Sequence, residues 1–198
     1  MELASKMRWV LVVFVMLFVL IFIGWGLSAI ARSVFNRGNG SQTAVEQDEA
    51  SDLEGVRVVT YIVDGPIVAS SDHRRYEIEV SPNVVMMRLY SDYGQKVVTE
   101  KSYKNNSESY SAFISALEQA NASARYAGTT ESDDEADNGI CPDGRRYIIE
   151  LGTDIRRWTT SCDRKQGTAA GKMTTMRKLF AKQIPDFDDV VKGTVLNR

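Results

Sequence analysis

The sequence contains few of the residues on which enzyme sites most often depend. It has one histidine, His73, and two cysteines, Cys141 and Cys162, among 198 residues. A zinc site would have to combine these residues with an acid, and no ligand spacing supports one. A Cys-x-x-Cys pair, a phosphate-binding glycine loop, a Gly-x-Ser-x-Gly elbow and a His-Glu-x-x-His motif are also missing. These absences favour binding over catalysis and give no indication of a cofactor.

His73 is the one residue on which a catalytic relay could be built. Ser70 and Asp72 lie just before it, which leaves an anchored hydrolase that uses Ser70, Asp72 and His73 as an alternative. Adjacent residues on an extended chain point to opposite sides, so this order does not by itself create a relay. The pattern favours a histidine in a surface loop, and we predict no enzyme activity.

A single long hydrophobic run stands out in this chain. Residues 9–31 form 23 residues without a charge, and Ser28 is their only hydroxyl. As a helix the run is about 34 Å long, enough to cross about 30 Å of hydrocarbon. We therefore predict a transmembrane anchor at 9–31. A signal peptide cleaved after Ala31 is the alternative, but the run is longer than such peptides need. A soluble core helix is disfavoured by so long an uncharged run.

The flanks of this run do not by themselves fix its orientation. Two basic residues precede it and two follow it, so the positive-inside rule gives no preference. A disulfide between the two cysteines would require an oxidising compartment, which indicates a cytoplasmic tail at 1–8 and an extracytoplasmic C-terminal domain. Gly24 and Ser28 are four residues apart and would let a partner helix approach the span.

Residues 32–55 are predicted to form a flexible acidic tether. Gly, Ser, Gln and acidic residues dominate from Gly38 onward, with too few large apolar side chains to offset the entropy lost on ordering. Residues 56–192 are then predicted to form one extracytoplasmic domain, and residues 193–198 to fray.

The domain has the pattern of an α+β fold. β-branched or alternating runs bounded by Gly, Pro and Asn predict strands, and apolar residues at helical spacing predict helices. Their order indicates an antiparallel sheet with helices packed on one face. In chain order the predicted elements are strands at 56–63, 76–80, 84–90 and 96–103, a helix capped by Ser107, a hairpin of 145–151 and 155–161, a helix over 173–184, and a short terminal turn or helix from Pro185.

The two cysteines flank the predicted hairpin. Cys141 precedes its first strand and Cys162 follows its second. Closing the hairpin brings these ends together, so we predict a Cys141–Cys162 disulfide that stabilises the domain by about 3 kcal/mol. Two buried free thiols in a cytosolic domain are the alternative.

Basic residues near the hairpin provide a candidate binding surface. Residues 140–198 contain twelve Lys and Arg against seven Asp and Glu. Two arginine pairs are expected to face each other across the hairpin and to dock an anionic surface ligand or an acidic envelope protein. A solvated outer face is the alternative, and nucleic acid is disfavoured because the whole chain has a net charge of −2. The predicted patch consists of Arg145, Arg146, Arg156, Arg157, Lys172 and Lys178.

Residues 128–139 form an acidic loop that is predicted to be solvated and mobile. Asp133, Glu135 and Asp137 alternate as calcium ligands do, but Asn138 stands where an EF-type loop requires glycine. We therefore predict no metal site. An inhibitor-like domain that inserts this loop into a partner is a further alternative.

These patterns predict a single-pass protein of the cell membrane that works by binding. Its extracytoplasmic α+β domain would act as an accessory subunit or as a binder of surface ligands at the cell envelope.

Overall fold

The computed structural model describes residues 53–127, 129–134, 141–162 and 167–197. In these ranges no helix has both the length and the apolar composition needed to cross a membrane. The predicted tail at 1–8, the predicted span at 9–31 and nearly all of the predicted tether at 32–55 lie outside the described residues, so they stay predictions.

Six antiparallel strands form one sheet. In chain order they are β1 Val59–Asp64, β2 Arg74–Val80, β3 Val84–Ser91, β4 Lys96–Lys104, β5 Arg146–Leu151 and β6 Ile155–Thr160. Their order across the sheet is β4-β3-β2-β1-β5-β6, and the central strand β1 pairs with β2 on one side and with β5 on the other. A four-strand meander and a later hairpin therefore share a single sheet.

Three helices complete this part of the chain, and the predicted α+β class is confirmed. They are α1 Ser107–Gln119, α2 Met173–Ala181 and α3 Phe187–Val191. Buried residues of all three helices belong to the same core cluster as alternate residues of the strands. The helices thus cover one face of the sheet, since side chains on a strand alternate between its two faces.

The opposite face of β2, β3 and β4 is charged. Arg88 lies opposite Glu77 on β2 and Glu100 on β4, and its guanidinium is 3.3 Å and 2.9 Å from their carboxylates. Tyr76 and Ile78 alternate with glutamates on β2 and point to the helix-covered side. This alternation of apolar and charged residues is what the sequence predicted for β2.

The two edges of the sheet are protected in different ways. Residues 167–169 run along β6, where Thr168 and Ala169 each donate a backbone hydrogen bond to Trp158 O at 2.9 Å. At the other edge β4 is exposed, carries three lysines and pairs with β3 through an irregularity between Leu89 and Tyr90. Lysines and a bulge on an edge strand discourage pairing with other chains.

Two predictions about helix and chain ends are wrong. Asn106, and not Ser107, caps α1, because its side-chain oxygen accepts a hydrogen bond from Ser109 N at 2.8 Å. The predicted fraying does not extend to Leu196, which is only 2% exposed and belongs to the core. The free energy gained by burying that leucine offsets the entropy lost when the terminus is ordered.

Candidate functional site

A cavity of about 440 Å³ lies between the helix-covered face of the sheet and the N-terminal end of α2. This volume is within the range of small-molecule sites. Of the twelve residues that line the cavity, seven carry a hydroxyl group and two carry a positive charge. No acidic side chain occurs among these described lining residues. The lining side chains of the cavity therefore carry net positive charge, and their hydroxyl groups can both donate and accept hydrogen bonds.

Tyr61, in the middle of β1, lines the cavity. Its side chain is 1% exposed, and its ring stacks on Phe180 of α2 with centroids 5.0 Å apart. Its hydroxyl is buried and has no hydrogen-bond partner among the described residues. Burial raises the pKa of Tyr61 well above its usual value, and Tyr76 and Tyr147 add to the rise while Arg177 opposes it. The phenol thus stays protonated and can donate.

Arg177 places a positive charge beside these phenols. It lies one turn into α2, is half-buried and lines the cavity. Burial raises the pKa of Tyr76, and Arg177 lowers it through its charge and a hydrogen bond. The guanidinium therefore sits against a group of tyrosine hydroxyls on the sheet.

The N-terminal end of α2 faces the same cavity. Lys172 occupies the N-cap position, makes no side-chain cap, and is followed by a first turn without an acidic residue. Met173 N and Thr175 N donate to Gly171 O and Lys172 O, but the helix end keeps a partial positive charge, which capping oxygens or acids usually neutralise. Here a lysine adds positive charge instead, so an anion bound in the cavity would stabilise this end of the helix.

Gly171 allows this end of α2 to approach α1 closely. A Cβ atom at Gly171 would collide with the backbone oxygen of Asn121, just beyond the C-terminal end of α1. Lys172 N donates a hydrogen bond to Ala120 O at 2.9 Å. The start of α2 is thus fixed by backbone contacts next to the cavity.

The predicted disulfide is confirmed, and it stabilises the rim of the cavity. Cys141 and Cys162 are bonded, with Cα atoms 5.7 Å apart. Ser161, which lines the cavity, lies next to Cys162, and its hydroxyl accepts a hydrogen bond from Arg145 N at 2.8 Å. A Cβ atom at Gly144 would collide with both sulfur atoms, so a glycine is required there.

A second group of buried polar residues lies on the opposite face of the same end of the sheet. His73, Asp64 and Arg146 form it: His73 Nε2 is 3.3 Å from one Asp64 carboxylate oxygen, and Arg146 pairs with the other. The prediction that His73 lies in a surface loop is wrong, because its side chain is 1% exposed. Burial lowers the pKa of His73, Asp64 opposes this, and neighbouring arginines add to it.

Tyr93 covers His73. The two rings stack with centroids 3.9 Å apart, and the Tyr93 hydroxyl donates to Val68 O at 2.6 Å and accepts from Val68 N at 3.1 Å. Asp92 and Tyr93 have φ values of 54° and 53°, which L-residues seldom adopt. The ring contact and the two hydrogen bonds hold this turn in its left-handed conformation.

The structure does not assemble the predicted alternative Ser70–Asp72–His73 site. His73 contacts Asp64 and Tyr93, and both Ser70 and Asp72 are exposed. The one hydrogen bond of the Asp72 carboxylate within the described residues comes from the Ser71 hydroxyl at 3.3 Å. The buried imidazole therefore pairs with a carboxylate from β1 and not with Ser70 or Asp72.

The predicted face-to-face arrangement of the arginine pairs is wrong. Arg146 lies opposite Thr160 and Arg156 lies opposite Glu150, so the two pairs are near opposite ends of the hairpin. The three-residue turn between Leu151 and Ile155 sets this register.

The basic residues of the predicted patch differ in how far they are already paired. Arg146 pairs with Asp64, Arg156 with Glu150, and Arg157 with Asp133. Arg145 donates to the carbonyl of Val195 at 2.9 Å. Lys178 is exposed on α2, and Lys172 lines the cavity. A role for this patch in partner binding stays a prediction.

The described part of the acidic loop, residues 129–134, contacts the hairpin. The Asp133 carboxylate is 2.8 Å from Arg125 and 2.7 Å from Arg157, and Ser132 O accepts a hydrogen bond from the Trp158 indole at 2.9 Å. The described residues contain no group of acids, histidines or cysteines placed to hold a metal ion. Glu135 and Asp137 lie outside them.

Sequence reasoning missed the cavity because its residues look ordinary in isolation. Tyr61 lies in a β-branched strand and resembles a core residue, and Arg177 resembles a solvated helix residue. One local signal was present: a helix that starts with lysine after Gly167 and Gly171, without a capping residue or an acid in its first turn.

Comparisons with known proteins give no relative from which a role could be transferred. No protein-family model matches the chain, and no curated protein or solved structure resembles it significantly.

Proposed function

We propose that this chain is a single-pass membrane protein whose extracytoplasmic domain binds an anionic ligand at the cell envelope and does not act as an enzyme. In this proposal residues 1–8 are the cytoplasmic tail, residues 9–31 the anchor and residues 32–55 the tether. Gly24 and Ser28 give the anchor a face on which a partner helix could pack.

The cavity beside α2 carries the binding part of this proposal. It combines a buried phenol without a partner, two cations and an uncapped helix end, and the described lining residues include no acid. Buried polar groups are normally paired. An unpaired buried hydroxyl and two cations without an acid beside them, around a cavity of ligand size, favour a ligand that accepts hydrogen bonds and carries negative charge.

The hairpin arginines are a weaker candidate for ligand binding. Arg146, Arg156 and Arg157 already pair with acids of the same domain. A ligand would have to displace those carboxylates, whereas the cations of the cavity face no such competitor among the residues that line it.

The uncharged run at 9–31 and the disulfide support the membrane part of the proposal. Twenty-three uncharged residues are long enough for a span. Disulfides persist in oxidising compartments, so the Cys141–Cys162 bond favours a domain outside the cytoplasm.

Blocking the cavity tests the binding proposal. We would purify the full-length chain in mild detergent and use native mass spectrometry to compare the wild type with Thr174→Trp, whose new side chain fills the cavity. Thr175→Trp is the matched control, because Thr175 is exposed on the same helix turn and does not line the cavity. We expect a non-covalently bound small molecule on the wild type and on Thr175→Trp. The same bound mass on Thr174→Trp would show that the ligand sits elsewhere.

Thiol labelling tests the location. We expect no label on protein taken directly from cells, and two labels after reduction under denaturing conditions. Two freely labelled cysteines before reduction would contradict an extracytoplasmic domain. Protease added outside intact cells should remove the C-terminal domain and leave the first residues protected.

A further inference from the structure

We propose that the cavity binds the phosphate group of a phosphate monoester, held by Arg177, Lys172 and the Tyr61 hydroxyl at the N-terminal end of α2. This inference rests on the proposed binding function and names the ligand class of the same site.

The charge of the cavity matches a dianion better than a monoanion. Lys172 and Arg177 contribute two positive charges, and the N-terminal end of α2 adds a further partial charge. No acid is present among the described lining residues to neutralise them. A phosphate monoester carries about −1.5 to −2 at pH 7, whereas a single carboxylate would leave positive charge uncompensated.

The donors also match the several acceptor oxygens of a phosphate group. Guanidinium and ammonium groups bind phosphate oxygens. Because Met173 N and Thr175 N of α2 already donate to backbone carbonyls, the helix end contributes mainly its partial positive charge. The Tyr61 hydroxyl adds a neutral donor from the sheet side of the cavity. A buried donor without a partner destabilises the protein until an acceptor arrives, so the position of this hydroxyl itself indicates an acceptor.

The cavity has room for more than the phosphate group. Its volume of about 440 Å³ greatly exceeds the space that four oxygens and a phosphorus occupy. The Ser161 and Thr174 hydroxyls and the Tyr147 ring line the remaining space. These groups suit a small organic body that carries hydroxyls, such as a glycerol or sugar unit.

Calorimetric titration of the full-length chain in detergent tests the inference, with glycerol 3-phosphate as the probe. We expect binding to the wild type that strengthens between pH 5 and pH 7, because the second ionisation of a phosphate monoester is centred near about 6. Lactate, a hydroxylated monocarboxylate, should bind at least tenfold more weakly at pH 7. Equal affinity for both probes, or no strengthening with pH, would overturn the inference.

Variants locate the site. Arg177→Gln should weaken glycerol 3-phosphate binding at least tenfold, and Tyr61→Phe should weaken it severalfold. Lys182→Gln is the charge-matched control, because Lys182 is exposed at the far end of α2 and does not line the cavity. It should stay within twofold of the wild type. An equal loss in Lys182→Gln and Arg177→Gln would mean that the probe senses net charge alone, and the inference would fail.

A second arm distinguishes the source of the phosphate. Vesicles that contain phosphatidic acid carry the same phosphate monoester on a lipid, and vesicles of phosphatidylcholine are the control. Arg177-dependent binding in either the soluble or the vesicle arm supports the inference, and binding in neither overturns it. If neither probe binds but Thr174→Trp still removes a bound small molecule, the phosphate inference fails and the proposed binding function stands. If that molecule is also absent, both fail.

Discussion

Two groups of polar side chains, each partly or fully buried, lie on opposite faces of the sheet, and their charges are balanced differently. On one face the Asp64 carboxylate lies between His73 and Arg146, so opposite charges meet within the fold. On the other face Tyr61 and Arg177 line a cavity whose described wall contains no acid.

This difference separates a structural group from a candidate binding site. A buried charge is tolerated when an opposite charge and hydrogen bonds compensate it. Asp64 supplies the opposite charge in the His73 group, although His73 Nδ1 is buried without a hydrogen-bond partner among the described residues. In the cavity Arg177 hydrogen-bonds Tyr76, but no acid among the described lining residues balances its charge. What distinguishes the two groups is therefore whether an acid of the same group balances the positive charge.

The test with the largest expected effect removes the disulfide at the rim of the cavity. Replacing Cys141 and Cys162 by serine should lower the free energy of unfolding by about 3 kcal/mol, since the bond closes a 21-residue separation. Urea denaturation measures this loss, and reduction of the wild type is the control. A loss below about 1 kcal/mol would mean that hydrogen bonds such as Arg145 N to Ser161 hold the rim without the disulfide.

The next test removes the acceptor of the self-neutralised group. Asp64→Ala leaves His73 and Arg146 without their carboxylate and should cost about 2 to 3 kcal/mol, less than for a fully buried pair because Arg146 is 20% exposed. Glu79→Ala is the control: its carboxylate is 3.9 Å from Arg88 at a more exposed site, so its loss should stay below about 1 kcal/mol. Equal losses of unfolding free energy in the two variants would show that the buried Asp64 pairs stabilise the fold no more than the exposed Glu79 pair.

The pH dependence of stability provides a third test, because it reports on the buried His73. The pKa of His73 is lowered in the folded protein by burial and by Arg146, Arg75 and Arg74, against the effect of Asp64. At pH values between the folded and the unfolded pKa, the unfolded chain therefore carries a proton on His73 that the folded chain lacks. This contribution to stability is complete above the unfolded pKa of about 6.5 and is lost as the pH falls from there towards the lower folded pKa.

The variant His73→Phe isolates this effect. It keeps a ring against Tyr93 and cannot titrate, so its free energy of unfolding should decline less than that of the wild type below pH 6.5. Urea denaturation at several pH values measures both slopes. Parallel slopes would show that His73 keeps its ordinary pKa in the fold.

The smallest expected effect compares two tyrosine hydroxyls. Tyr110 donates to Val56 O at 3.0 Å, so Tyr110→Phe should cost about 1 kcal/mol. Tyr61→Phe removes a buried hydroxyl without a partner among the described residues, and in ligand-free protein it should change stability by less than about 0.5 kcal/mol or stabilise the fold. An equal loss in Tyr61→Phe would mean that this hydroxyl is already satisfied.

Much of the fold could be predicted because its signals are local. Alternation in 76–80 and helical spacing after Ser107 lie within single elements, and both elements form as predicted. The disulfide was also predictable, because the hairpin that joins Cys141 to Cys162 is itself a local structure.

Part of what was missed was nevertheless present in the sequence. Leu151 and Ile155 close the hairpin, so Arg156 lies one residue from this closing pair and Arg146 five residues from it. Counting from the predicted turn gives their true separation. The unusual start of α2 at Lys172 was likewise readable as a helix end without a cap.

Periodicity and short loops act over a few residues, so local patterns in the sequence were enough to predict the strands, the helices and the disulfide of the described chain. Which polar groups are satisfied depends on the tertiary structure. Asp64 pairs with His73 across a loop, and Tyr61 lines the same cavity as Arg177, which is more than 100 residues later in the chain. Such long-range neighbours depend on which faces pack together, and local sequence patterns do not contain that information.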